Sequence, residues 1–345
     1  MAILIFNQKI KVVLKLFIYS VIHLTLVAGI PPRKAINLEE FCGNENMVYN
    51  TVLRSADEQL KGTKRFPCET LPYLERYGLM DSQKQNWNAP VKKIGEGAVF
   101  VVAANGPYFP YLRRILHSIK QVFGKDQKVI GYDLGGISEN SAMEVLSEFN
   151  TVFYGDTSLN FVQKEPLNKF LQYIEQGVIS PFQMPSETSY SSKFATLKGF
   201  YRYIPDYTYS LFPTTSHTEE EASFIIAQRS EYTRRLLKWA VSCAVTKDCI
   251  NIIPPSTINC AQWTYNPVIL KTPLGYHKCH LYDQTTLNLL NGNLEHEILV
   301  KASPNSKLIS RYDKRHPRYW LQSYFYVDKC KTLARSTDFI GTVKC

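Results

Sequence analysis

The chain has no Cys-x-x-Cys pair, no Cys/His group at zinc-ligand spacing, no Asn-x-Ser/Thr sequon, no internal repeat and no low-complexity tract. The first two absences turn the cysteines away from a metal site and towards disulfides. The missing sequon removes N-glycosylation without arguing against secretion. Acids are in the minority, 30 against 40 Lys and Arg, for a net charge of +10. Lys9, Lys11, Lys15, Arg33 and Lys34 all precede the first acid, Glu39; setting those five aside leaves 35 bases against 30 acids. That balance falls short of the footprint of a nucleic-acid binder, so no nucleic-acid partner is expected. What is present is apolar material: 345 residues, 45% hydrophobic and 13% aromatic, are enough for a sizeable core and rule out wholesale disorder.

Leu16 to Ile30 is an apolar run behind lysines, interrupted only by Tyr19, Ser20, His23 and Thr25. It fits the apolar region of a signal peptide, with Val27-Ala28-Gly29 as small residues for cleavage. Started at Ile10, with Lys11 and Lys15 snorkelling, it reaches the roughly 20 residues of an uncleaved anchor. Either reading sends the body of the protein into the secretory lumen, as a single-pass type II protein of the ER or Golgi membrane or as a secreted one. All eight cysteines lie beyond this run, as an oxidising compartment would have them. Cys42 with Cys68, and pairs among Cys243, Cys249, Cys260 and Cys279, are the local disulfide candidates.

Residues 31–93 read as a stem or small N-terminal lobe punctuated by Pro67, Pro72 and Pro90. Then Ala98 to Ala104 is a continuous apolar run of strand length, closed by the turn signal Asn105-Gly106-Pro107. Apolar residues from Tyr108 to Phe123 recur at helical spacing, and Lys128 to Tyr132 reads as a second strand ending at Asp133. This is a βαβ unit, which implies a mostly parallel sheet covered by helices, with ligands beyond the carboxyl ends of its strands. Asp133 occupies one such end, and Asp156 follows a third strand from Thr151 to Tyr154. Helices are expected from about Pro166 to Gln176 and from about Glu231 to Val245, with a short one opening at Asp283-Gln284.

The blocks FVVAANGPYFPYLRRILHSI, VIGYDLGG, VFYGDTS, LLKWAVSCAVTKDCI and CHLYDQTTLNLL, in that order, resemble a nematode-expanded secretory family, domain of unknown function sixteen-forty-seven, over roughly Gly97 to Cys330. Its members are similar to glycosyltransferases of the GT-A type, the nucleotide-diphospho-sugar transferase fold. The resemblance implies a GT-A-like α/β domain over 94–330, after a signal or anchor over 1–30 and before a tail over 331–345. It implies sugar transfer from a nucleotide sugar to a glycan acceptor, with manganese or magnesium neutralising the leaving diphosphate through a paired-carboxylate motif. Asp156-Thr157-Ser158 stands at that place with one carboxylate and two hydroxyls, a poorer ligand set. Asp283, Gln284 and His280 fall where similar enzymes hold the donor sugar or acceptor, and Asp133 is a further candidate. Each has an ordinary alternative: turn or cap for Asp133 and Asp156, helix N-cap for Asp283, core histidine for His280.

Two features shape the functional expectation. Arg311 to Trp320 (RYDKRHPRYW) suits a diphosphate or a glycan, or else a solvated surface. Only Ile137 to Phe149 separates Gly136 from the third strand, where the resemblance leads one to expect a Trp-Lys-Pro block and another strand and helix. With the single Asp156, this points either to a transferase with little or no activity or to a non-catalytic protein that binds a glycan or a protein through the same fold.

Overall fold

In the computed structural model the described residues are 40–52, 59–92, 96–104, 109–133, 151–156, 159–161, 165–191, 195–205, 218–250, 280–301, 307–321 and 325–327. The apolar run Leu16–Ile30, the Ile137–Phe149 connection, and Cys260 and Cys279 lie outside them. Among the described residues no helix is long and apolar enough to cross a membrane.

Residues 40–92 form short antiparallel pairs, β1 (Phe41–Cys42) with β2 (Glu45–Asn46) and β3 (Asn50–Val52) with β4 (Gln59–Lys61), followed by α1 (Leu71–Arg76). The Cys42–Cys68 disulfide closes this lobe. After β4 the chain passes so near residues 202–203 that a Cβ on Gly62 would stand 2.5 Å from the Tyr203 carbonyl oxygen, a clearance only glycine provides.

The body is α/β. β5 (Ala98–Ala104), α2 (Phe109–Phe123) and β6 (Val129–Asp133) make the expected βαβ unit. β7 (Thr151–Gly155) pairs parallel to β5 on its other edge. β8 (Leu159–Phe161) and α3 (Glu165–Glu175) lead to β9 (Phe182–Gln183) and β10 (Glu187–Ser191). β11 (Thr218–Glu220) pairs with β10, and β12 (Phe224–Gln228) enters the main sheet antiparallel to both β7 and β9. The five strands stand in the order β6-β5-β7-β12-β9, four running one way and β12 against them.

Strand alternation divides the core in two. Phe100, Val102, Phe153, Phe224 and Ile226 face α2 and α3. Tyr154, Ile225 and Ala227 face α4 (Glu231–Val245) and α5 (Tyr282–Lys301). The N-terminal lobe joins this second core through Tyr49 and Phe66, whose rings stand 5.5 and 5.7 Å from that of Trp239. Two buried cations of α4 tie the lobe down further: Arg234 donates to the Leu79 carbonyl and to Asp81, and Lys238 to Glu45 and Asp81.

α4 has the predicted bounds because Ser230 caps it, its hydroxyl accepting from the Thr233 N–H at 3.2 Å. A second disulfide, Cys243–Cys249, closes its far end. The short helix expected at Asp283 is instead twenty residues long. It is buried without a break from Thr285 to Glu295, so no apolar stripe marks its length. Its buried asparagines are used as docking points: Asn288 brackets the backbone of Glu220, Asn291 donates to the Phe182 carbonyl and accepts from the Tyr232 hydroxyl, and Asn293 donates to Pro205. The C-terminal stretch adds α6 (Arg318–Leu321) and β13 (Phe325–Val327), which pairs with β8.

Candidate functional site

From β5 the chain passes to β6 on one side of the sheet and then to β7 on the other, so its direction of winding reverses at the carboxyl ends of β5 and β7. Open α/β sheets bind ligands in the crevice at such a point. Asp156 is the first residue beyond β7 there. Its parity with Tyr154 turns its side chain towards the α5 face, and its N–H donates to the Ser223 carbonyl at 2.7 Å.

The turn carrying Ser223 joins this strand end to the start of α5. The Ala222 N–H donates to Gln284 Oε1 at 3.3 Å, and Gln284 Nε2 donates to Glu219 Oε2 at 2.9 Å. Tyr282, left-handed at φ 45°, sets the direction in which the helix begins. Leu281 N–H and the Thr285 hydroxyl both donate to the Ala195 carbonyl and fix that turn. Asp283 lies in the first helical turn.

Three acids thereby stand near one end of the sheet, Asp283 feeling the charge of Asp156 and Glu219 that of Asp283. Burial, helped by the charge of Asp156, pushes the Asp283 carboxyl up to about 7 against hydrogen bonds from backbone N–H groups. Burial pushes Glu219 up to about 8, with Asp283 adding to the rise and the Gln284 and Thr285 side chains opposing it. The Tyr154 phenol is driven upward by burial and by the charges of Asp156 and Asp283. Near neutral pH Glu219 is therefore a buried carboxylic acid and Asp283 is divided between its two forms. The cluster offers both proton donors and acceptors, which suits a hydroxyl-rich ligand.

Of the sequence-predicted residues, Asp156 and Asp283 are brought together although they stand far apart in the chain. Gln284 is beside them, with its amide committed to Glu219 and Ala222. His280 is fully buried between the Phe200 and Tyr282 rings, where burial lowers its imidazole to about 4. Asp133 ends β6 opposite Ala104, at the same end of the sheet as Asp156 but with β5 between them. Thr157 and Ser158 lie outside the described residues.

A divalent cation is not well served by the described residues, among which no group of three or more His, Cys, Asp or Glu is placed to hold a metal ion. Glu219, the third acid of the cluster, binds its proton too tightly to be a good ligand. Glu219 itself was not singled out from the sequence. Its signal is the acid run Glu219-Glu220-Glu221, whose first two members lie on β11, where alternation sends neighbours to opposite faces.

The stretch Arg311–Trp320 is divided: Lys314, Arg315 and Tyr319 are exposed, as the surface alternative has it, but most of its charged side chains are not free for a ligand. Arg311, His316 and Arg318 are buried. Arg311 pairs with Glu220 at 2.8 Å and Glu295 at 3.0 Å, while Arg318 pairs with Glu220 at 2.5 Å and Glu187 at 2.7 Å. Exposed Arg315 is taken by Asp313. These guanidinium groups are engaged with the protein's own acids instead of presenting a diphosphate or glycan site, because their partners arrive from remote strands and α5.

The arrangement defines a mixed α/β protein with an acidic cluster at the switch point of its sheet. Residues 41–164 match the family described as Protein of unknown function (DUF1647), a span that includes the N-terminal lobe, β5 to β8 and Asp156. No curated protein matches the chain.

Proposed function

We propose that this is a glycosyltransferase-like protein of the secretory pathway that binds a nucleotide sugar or glycan at Asp156 and Asp283, and that transfer by this chain is slow or absent. The observation that carries the reading is the convergence of those two carboxylates at the carboxyl ends of the central strands. The resemblance to GT-A-type enzymes supplies the substrate class. Asp156 would accept hydrogen bonds from sugar hydroxyls, while Asp283 in its protonated form would donate one; Gln284 holds the turn between them.

A non-catalytic role is favoured by the ligand set. Transfer depends on rigid placement of donor, acceptor and charge-neutralising groups, and a misplacement of ~1 Å can cost about a hundredfold in rate. Lumenal placement is supported by the apolar N-terminal run and by the Cys42–Cys68 and Cys243–Cys249 disulfides. The ER or Golgi membrane and the exterior are both consistent with it.

The test is thermal shift of the full chain against a set of nucleotide sugars with and without manganese, beside transfer assays of the chain and of Asp156→Ala. Stabilisation by at least one nucleotide sugar, weakened in Asp156→Ala and without appreciable turnover, is expected. Robust manganese-dependent turnover lost in the variant would make the protein an active metal-dependent enzyme. No shift with any nucleotide sugar would remove the substrate class.

A further inference from the structure

Beyond residue 38 the excess of positive charge in the sequence is nearly matched by that of one short segment. Residues 39–345 carry 35 bases and 30 acids; five of those bases, Arg113, Arg114, Lys120, Lys125 and Lys128, lie within 109–128 against the single acid Asp126. That leaves about one net charge for all the remainder. α2 turns Leu112, Ile115, Ile119 and Phe123 into the core, and its opposite face exposes Arg113, His117 and Lys120, followed beyond the helix by Lys125. The row from Arg113 to Lys120 extends about 10 Å along the helix axis.

These cations differ from most arginines of the fold's interior. Arg234, Arg235, Arg311 and Arg318 are all held by carboxylates. Among the described residues Arg113, Lys120 and Lys125 make no ion pair. The helix dipole favours a cation at Lys120, in the last turn, but gives no such reason for Arg113 in the second turn.

We infer that the exposed face of α2 with the following loop is a docking surface for a linear polyanion, specifically a sulfated polysaccharide. A row of spaced charges matches a chain laid along the helix. The choice among polyanions rests on the lumenal placement proposed above: nucleic acid is absent from that compartment, and the strongly anionic lipid leaflet faces the cytoplasm. The surface is separate from the carboxylate cluster, which stands at the strand ends on the α5 face of the sheet, whereas α2 covers the opposite face.

Heparin is the probe. Retention of the full chain on immobilised heparin, and its Kd across a salt series, are compared for the native protein, for Arg113→Gln/Lys120→Gln/Lys125→Gln, and for a control removing three exposed cations elsewhere, Lys84→Gln/Lys247→Gln/Lys314→Gln. We expect the first triple variant to elute at lower salt, with the slope of log Kd against log salt reduced by about 2 to 3, and the control to keep most of the native slope. Equal loss in both triples would reduce the effect to net charge and overturn the surface. Absence of native retention would overturn it as well, and tighter binding to phosphatidylserine vesicles or to RNA than to heparin would overturn the sulfated-polysaccharide assignment. Because all six positions are exposed, unchanged circular dichroism is expected throughout, and a nucleotide-sugar thermal shift retained in the first triple variant would separate this surface from the carboxylate site.

Discussion

Replacing Arg311 with Met would remove a side chain that neutralises two buried acids from different elements. Glu220 lies on β11 and Glu295 on α5, and both are nearly inaccessible, as is Arg311 itself. The two acids fare differently after the loss. Glu220 keeps Arg318 at 2.5 Å, whereas Glu295 loses the guanidinium that meets it at 3.0 Å. Breaking a buried pair from one side costs about 3–5 kcal/mol, because the remaining charge stays desolvated without its counter-ion. Burial already raises the Glu295 carboxyl above its ordinary value with Arg311 present. The variant's cheapest relief is thus a proton on Glu295, and the destabilisation should be larger at pH 8 than at pH 5. With a urea slope of about 3 kcal/mol per M, the loss appears as a midpoint lowered by about 1 to 1.7 M at neutral pH. Equilibrium urea unfolding followed by tryptophan fluorescence, at both pH values, is the assay. Arg311→Met/Glu295→Gln should recover much of the loss, since an ion pair replaced as a unit leaves no orphan charge. A midpoint moved by less than about 0.3 M, or a double variant no better than the single one, would refute the account of a dry, mutually dependent network.

The two disulfides should contribute unequally. By the loop-closure relation, the Cys42–Cys68 link, with its 26-residue separation, is worth about 3.5 kcal/mol and the 6-residue Cys243–Cys249 link about 2.2; paired serine variants compared by thermal unfolding check the order, and a reversed order would contradict the model of a constrained unfolded chain. For pH, Glu219 is raised from 4.5 to about 8 and Asp283 from 3.8 to about 7, so the fold holds their protons more tightly than the unfolded chain does, and stability falls as pH rises through those windows. His280 and His316, lowered from 6.5 to about 4 and about 3, act in the opposite direction only up to about 6.5. The decline should therefore be clearest between pH 6.5 and 8, and Glu219→Gln should flatten it; a profile that stays steep in that variant would place its origin elsewhere.

The elements that the sequence reveals are those with local causes. Ala98–Ala104 is found to the residue because a strand buried on both faces is an uninterrupted apolar run, and Glu231–Val245 because Leu236, Leu237, Trp239, Ala240 and Cys243 mark it as a helix with a buried side. The Cys42–Cys68 pair is likewise found by proximity along the chain. What hydropathy misreads is polar and buried. Asn288, Asn291 and Asn293 conceal the length of α5, while Arg311 and Arg318 pass for surface because Glu220 and Glu187 are remote in sequence. Asp156 and Asp283 are individually legible through the family resemblance, but their meeting depends on the Ser223 turn and on Gln284, which only the folded chain brings together. The acid run at 219–221 shows why such sites resist sequence reading. As a string it resembles a solvated charged segment; on a strand its members part, Glu219 to Gln284 and the carboxylate cluster, Glu220 to the paired arginines. The candidate site and the buried charge network are thus joined through adjacent residues of β11 and through opposite ends of α5, so the network that fixes that helix also sets where Asp283 stands relative to Asp156.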